Sequence, residues 1–298
     1  MRDYLYSYLN DIRIDKVMNI DLIMSGGAWN GSYLYGSLLV LKALEEEGKV
    51  KINRISSCSI SAILALLYHI DKIELYNDLY NRILDIYKTR CYFTNIDDIL
   101  LIVREHITEE TVKSISGKIY ITYFDVILCK QIVVNKYKSV DELLEIIKMS
   151  CHLPYVTDRK LVYNDRYIDG FYPYFFHKKR KIRRIYINIF NEDKILDAIN
   201  IKNEYFHETR IIEGMVQMQR FLIRGRKTTM CSDINEWDII DNVRYNIIKM
   251  LSFLICYIIY FILWIKRVLH IKESSKIIKY GYKFGYKLYK KILKTYLV

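Results

Sequence analysis

Residues 20–63, IDLIMSGGAWNGSYLYGSLLVLKALEEEGKVKINRISSCSISAI, decide the fold. They read as strand, glycine turn, helix, strand, sharp turn and helix. Ile20 to Met24 is an apolar run with a single charge, suited to a buried strand. Ser25-Gly26-Gly27 stops it, because glycine takes backbone angles that other residues avoid. From Gly31 a helix is expected, with Leu34, Leu38, Leu41 and Leu44 on one side and Gly48 at its end. Ile52 to Ser56 alternates like a second strand. Ser57-Cys58-Ser59-Ile60-Ser61 follows at once, and Ala62 to His69 is an apolar helical run.

Two turns that follow adjacent parallel strands open at the carboxyl end of the sheet, where ligands bind in α/β folds. The first offers the backbone N–H groups of Gly26, Gly27 and Ala28 at a helix start, a natural anion site. No Lys-Ser/Thr pair follows, so the turn is not a nucleotide-binding P-loop. The second turn sets Ser59 between strand and helix, where a nucleophile elbow holds its serine. Such an elbow needs small neighbours, here Ser57 and Ser61, and glycine is expected to be accepted at either. An oxyanion site one strand away from a raised serine is the equipment of acyl transfer.

Downstream, Ile73 to Lys88 reads as a helix, Asn95 as the cap of the next (Ile99, Ile102, Val103), and Thr108 as the start of a short third. KIYITYFDVILC from Lys118 reads as a strand region, with QIVVN from Gln131 as its partner. Ser139 and Glu142 form a capping box ahead of a helix from Leu143 to Ser150, and Pro154 blocks its continuation. Leu161 to Ile168 is predicted to form a hairpin turning at Asn164-Asp165, which delivers Asp169-Gly170. Lys181 to Phe190 is a further strand and residues 203–226 a helix. The alternation predicts an α/β fold.

Three motifs in this order carry a resemblance. The chain resembles the patatin-like phospholipases, as a divergent member, over roughly residues 20–190. That family has a Gly-Gly-Gly-x-Arg/Lys-Gly turn, a Gly-x-Ser-x-Gly elbow, and a later Asp-Gly-Gly or Asp-Gly-Ala. Here they stand as Gly26-Gly27-Ala28-Trp29-Asn30-Gly31, Ser57-Cys58-Ser59-Ile60-Ser61 and Asp169-Gly170-Phe171. The departures are Ala28, Asn30, Ser57, Ser61 and Phe171. The resemblance implies a three-layer α/β/α domain over residues 18–230, after a lead of residues 1–17. It implies a Ser59–Asp169 dyad, with Asp169 as base, an oxyanion hole from Gly26, Gly27 and Ala28, and neither cofactor nor metal. The implied reaction is hydrolysis of a phospholipid or other acyl-lipid ester. The rival arrangement is a Ser-His-Asp triad drawing on His69, His106, His152, His177, His207 or His270. The rival function is a lipid-binding scaffold with weakened catalysis.

Composition sets the wider frame. The 298 residues suffice for one α/β domain and an appendage. The 11 glycines and 2 prolines leave little for flexible linkers, and the 28 tyrosines suggest AT-rich coding. Six scattered cysteines (58, 91, 129, 151, 231, 256) show no zinc spacing and read as reduced thiols facing the cytosol. MRDYLYSYLNDIRIDK is too polar for a signal peptide.

The net charge of +12 is concentrated in residues 266–298, which hold ten Lys/Arg and one acid. Lys276, Lys279, Lys283, Lys287, Lys290 and Lys294 share one helical face. Ahead of them, residues 247–265, IIKMLSFLICYIIYFILWI, form a helix about 28 Å long against a hydrocarbon core of roughly 30 Å. The 231–298 segment is therefore expected to associate with an anionic membrane surface. It is expected to lie in the interface, or to enter and return, on the cytosolic side rather than to span. Nucleic acid is the lesser alternative for the basic tail.

Overall fold

In the structure, a computed structural model, the residues described are 12, 14, 16–90, 96–158, 160–191, 193–198, 205–269 and 291. The expected lead lies mostly outside them, as do Asn95, His270 and the basic tail beyond Leu269 apart from Lys291. One sheet takes in β1 (Met18–Met24), β2 (Val50–Cys58), β3 (Ile119–Asp125), β4 (Lys130–Val134), β5 (Tyr167–Ile168), β6 (Arg183–Ile187) and β7 (Cys231–Asp233). The order is β4-β3-β2-β1-β6-β7, with β5 added to β3. The central β3-β2-β1-β6 run is parallel, and β4, β5 and β7 pair antiparallel. The KIYITYFDVILC strand stops at Asp125, because the next four residues make the turn into β4. The sheet continues to Asp233, three residues past the expected end of the domain.

The helices are α1 (Gly31–Glu46), α2 (Ile60–His69), α3 (Leu75–Arg90), α4 (Ile96–Arg104), α5 (Glu109–Ile115), α6 (Val140–Ser150), α7 (Tyr205–Arg224) and α8 (Ile239–Val268). Gly48, at φ 70°, follows α1 as the sequence predicts. Alternation along the strands sorts side chains to two faces. Ile20, Leu22 and Met24 of β1, Ile119 and Ile121 of β3, and Ile185 and Ile187 of β6 meet buried side chains from α1 through α7. Ile23, Phe124 and Tyr186 point the other way. They are covered by the chain around residues 171–176, by Trp237 and by one stripe of α8. The expected α/β/α sandwich is thus lopsided. Consecutive right-handed crossovers from β1 to β2 to β3 put their helices on one face, and the second face is left to α8.

The lone charge in β1, Asp21, is fully buried on that second face. Arg54 of β2 forks onto it through Nε and Nη2, and its guanidinium lies 4.1 Å from the centre of the Phe176 ring. Removing either partner would leave an uncompensated buried charge.

The helix expected over residues 247–265 is longer. It starts at Ile239, where the Asp238 side chain accepts from Asp241 N–H at 2.8 Å and Asp241 answers in a capping box. Ser252, Cys256 and Ile259 are its buried stripe, packed with Phe124, Ile168 and Tyr172. The opposite face is apolar and bare: Met250 is 63% and Phe261 56% exposed. This is one helix long and apolar enough to cross a membrane, by length and composition.

Helices α1 and α7 cross with their backbones almost in contact. A side chain at Gly36 would strike the Ile211 carbonyl, and one at Gly214 would strike the Tyr33 carbonyl. Ser37 Oγ donates to the Gly214 carbonyl at 3.0 Å across the same crossing. Gly36→Ala and Gly214→Ala are each expected to lower stability by about 1–3 kcal/mol through overpacking against rigid backbone. The urea midpoint of each variant measures this, and an unshifted midpoint would mean the helices can part without cost.

Candidate active site

β2 and β5 occupy the same edge of β3. β2 pairs with Ile119–Thr122 and ends at Cys58, and β5 pairs with Phe124 and Asp125 from the opposite direction. The two strands therefore run at each other, and Asp169, the residue after β5, arrives against Ser59, the residue after β2. The hairpin that sends β5 there turns at Asn164 and Asp165, at φ 46° and 55°, a left-handed pair that Asn and Asp tolerate. Gly170 permits the meeting: a side chain there would overlap the Thr122 carbonyl oxygen and come within 2.8 Å of Cys58 Cβ. Phe171, which follows, takes φ 49°.

Ser59 sits at φ 56°, ψ −136°, a strained conformation for any side-chain residue, and caps α2. The surroundings over-determine it. Ser59 N–H donates to Ser150 Oγ at 2.9 Å, and Ser150 Oγ donates to the Thr122 carbonyl at 2.7 Å. Ser61 Oγ accepts from Cys58 N–H at 2.9 Å and donates to the Cys58 carbonyl at 2.7 Å, with the Met24 carbonyl at 3.1 Å. These roles correct the expectation that glycine would be accepted at Ser61. The hydroxyl, not only the small size, fastens the elbow. Ser57 makes only a long bond to the Tyr120 carbonyl, at 3.4 Å.

Asp169 is 3% exposed, and among the described residues no cation stands beside it. Burial pushes its pKa from 3.8 up to about 6, opposed by the Ser59 hydroxyl and the Phe171 N–H. Oδ1 accepts from Phe171 N–H at 2.9 Å, while Oδ2 is buried without a hydrogen-bond partner. The Ser59 hydroxyl thus acts on the carboxyl without closing a regular hydrogen bond, a looseness common in sites without substrate. Among the described residues no histidine contacts the pair. His152 turns Nδ1 toward Asp158 at 3.8 Å and keeps Nε2 buried and unpartnered, and only its backbone carbonyl meets Asp169 N–H. His177 is exposed, and His207 bonds Ser32 and Asn77. Among the described residues the chain brings Ser59 and Asp169 together with no histidine side chain beside them; His270 lies outside those residues.

The glycine turn lies beside the elbow, so close that a Cβ on Gly26 would come within 2.9 Å of Ser59 Cβ. Its N–H groups differ in use. Gly26 N–H donates to Cys58 Sγ at 3.1 Å, which removes it from the expected oxyanion set. Among the described residues the N–H groups of Gly27 and Ala28 have no acceptor. Ala28 takes φ 47°, the angle at which a glycine is ordinarily found. Asn30, where the resemblance expects a cation, is fully buried and donates through Nδ2 to the carbonyls of Ile189 at 2.7 Å and Lys194 at 2.9 Å. It ties the turn to the loop after β6. Gly31 is needed beside it, since a Cβ would crowd the Tyr76 hydroxyl and Ile60.

An apolar pocket opens at Ser59 and Ala28, walled by Ile60 and Ile63 of α2, Tyr76, Tyr80 and Ile83 of α3, Ile96 and Ile99 of α4, and Leu153. Among the described residues no cluster of histidine, cysteine, aspartate or glutamate is arranged to hold a metal ion. No family model matches the chain, and no curated protein matches it in sequence.

The two turns make opposite predictions. Ser61→Gly leaves Cys58 N–H buried without its acceptor and is expected to cost about 2 kcal/mol. Ala28→Gly relieves a left-handed alanine and is expected to add about 0.5–1 kcal/mol. Denaturant titration of both variants reads the signs. A stabilised Ser61→Gly protein would refute the fastening role.

Proposed function

We propose that the protein is a lipid acyl ester hydrolase of phospholipase A type, working through Ser59 and Asp169. The observation that carries this is a strained, hydrogen-bond-braced serine facing a buried carboxyl at the mouth of an apolar pocket. In this reading Ser59 Oγ attacks the acyl carbonyl carbon and Asp169 takes the hydroxyl proton. The N–H groups of Gly27 and Ala28 hold the oxyanion, and the lipid alcohol leaves with the proton. Asp169 then draws a proton from water as the water oxygen adds to the acyl carbon, the Ser59 Oγ–acyl bond breaks to free the carboxylic acid, and Asp169 returns the proton to Ser59 Oγ. A carboxylate with pKa near 6 is ionised at neutral pH yet basic enough to matter, which is what burial without a counter-charge supplies. The apolar lining of the pocket suits an acyl chain.

Ser59→Ala and Asp169→Asn are each expected to abolish hydrolysis, and a fluorophosphonate probe should label the wild-type protein at Ser59. Labelling elsewhere, or full activity in Ser59→Ala, would end the reading. Because the base must be ionised, kcat/KM should rise with pH to a plateau above about pH 6. Removal of His152 should leave activity within about tenfold. Stability runs the other way. A carboxyl whose pKa is higher folded than unfolded favours the fold only while protonated, so stability falls as pH climbs from about 4 to about 6. At about 1.4 kcal/mol per unit this amounts to about 3 kcal/mol. Asp169→Asn should therefore match wild type near pH 4 and exceed it above pH 6, as thermal melts at both pH values would show.

The membrane surface is the proposed working place. Side chains from Tyr245 to Leu263 of α8 pack on the domain, so the helix lies along the domain and turns its bare apolar face outward. That supports lying in the interface, with the basic segment after it on anionic lipid. Replacing Met250, Leu254 and Phe261 together with serine is expected to abolish flotation with anionic vesicles while leaving the fold intact. Protease protection in sealed microsomes separates the topologies: shielding of either the basic tail or the catalytic domain while the other is cut would establish a spanning helix.

A further inference from the structure

The pocket wall beside Ser59 is not uniform. Ile63, Ile83 and Ile99 are aliphatic side chains, but Tyr80 is fixed by its surroundings. Its ring, 5% exposed, stacks on the His207 imidazole with centroids 3.7 Å apart and planes 14° from parallel. The Trp29 ring meets it edge-on at 5.3 Å. His207 is itself clamped on both ring nitrogens. Nδ1 bonds Ser32 Oγ at 2.8 Å and Nε2 bonds Asn77 Oδ1 at 3.1 Å, while Asn77 Nδ2 donates to the Tyr35 hydroxyl at 3.2 Å. Burial and the Arg210 charge hold the imidazole near pKa 4, so at neutral pH it is an uncharged plate behind the tyrosine.

We propose that Tyr80, held by His207, sets the size limit of the acyl group that Ser59 accepts. The proposal rests on the reading of Ser59 as the nucleophile and adds to it a specificity-determining residue. A chain that presses on Tyr80 cannot push it aside, because the ring has His207 behind it and Trp29 at its edge. Nor can it pass beyond, because the space behind is a polar network whose buried hydrogen bonds an alkyl chain would break without replacing. The isoleucines of the wall, stiff at χ1, can still yield at their terminal methyls. Tyr80 cannot, and so defines the boundary.

The test is hydrolysis of p-nitrophenyl esters from butyrate to palmitate by wild type, Tyr80→Leu, Tyr80→Ala, Tyr80→Phe and His207→Gln, read as ratios of kcat/KM between chain lengths. A ratio within one protein is insensitive to the fraction of molecules that are folded. Tyr80→Leu and Tyr80→Ala should shift the preferred ester to longer chains, by roughly fourfold in kcat/KM for each additional methylene that becomes buried. Tyr80→Phe should restore the wild-type ratio, and His207→Gln should relax it in the same direction as Tyr80→Leu. If Tyr80→Ala does not fold, Tyr80→Leu, which keeps an apolar side chain of moderate size, carries the comparison. An unchanged length profile in the leucine variant, with Ser59 still labelled by fluorophosphonate, overturns the role of Tyr80 and leaves the nucleophile standing. Absence of both labelling and ester hydrolysis in wild type overturns the nucleophile, and the size limit with it.

Discussion

The collision of β2 and β5 on one edge of β3 is the constraint on which the site depends. A strand that ends at Cys58 must leave the sheet at once, because Asp169 and Gly170 take the next place along the edge. The chain turns sharply, and the residue at the turn carries the strain: Ser59, at φ 56°. The same crowding excludes a side chain at Gly170 and at Gly26. It forces Cys58 under the turn, where its thiol accepts the Gly26 N–H. Burial and the neighbouring Asp169 push the Cys58 thiol well above its ordinary pKa, so it stays protonated. Strain of this kind costs about 1–3 kcal/mol and persists only when hydrogen bonds around it over-determine the geometry. Ser150, Ser61 and Thr122 supply those bonds.

The crowding also sets the electrostatics. Asp169 is shut away from water by the elements that bring it to Ser59, and no cation shares its burial. The elevated pKa and the short path to the serine are two results of one arrangement. Such a carboxyl weakens the fold at neutral pH and strengthens a base, the usual exchange between stability and function at a site. The oxyanion turn is handled differently. Its geometry is imposed from behind, by Asn30 on the Ile189 and Lys194 carbonyls and by Arg210 Nη1 on the Trp29 carbonyl at 3.2 Å. Those ties let an alanine stand at φ 47°.

The legible parts of this molecule were those written in local pattern. Apolar runs broken by glycine gave β1, α1, β2 and α2 to within a few residues. Asn164-Asp165 foretold the hairpin, and motif order joined Ser59 to Asp169. The illegible parts were contacts between segments far apart in the chain. Nothing near Gly26 announces that a cysteine 32 residues on will occupy its N–H. Nor does Asn30 announce partners more than 150 residues away. Ser61 looked like a substitute for glycine because size is visible in a sequence and a hydroxyl that both accepts and donates in the elbow is not. The start of α8 was legible in principle: Asp238 and Asp241 are a capping signal, masked by the stronger apolar run that follows.

Helix α8 carries two demands at once. A helix apolar on every side reads as a span or as a core helix, and α8 packs one stripe on the domain while the rest of its apolar surface stays bare. The crossovers from β1 to β2 to β3 put α1 through α5 on one face of the sheet, α6 and α7 pack on the same face, and Ile23, Phe124 and Tyr186 stand on the other. One stripe of α8, around Cys256 and Ile259, is apolar because it meets that demand. The other faces are not explained by the described part of the domain, since Met250, Leu254 and Phe261 join none of its buried clusters and Phe261 stacks on Trp264 of the same helix. An exposed apolar strip of this length disfavours the free monomer in water and favours any surface that covers it. The same helix packs on Tyr172, three residues from Asp169. In the proposed reading the element that meets the lipid is therefore physically continuous with the segment that carries the catalytic base, with no linker between them.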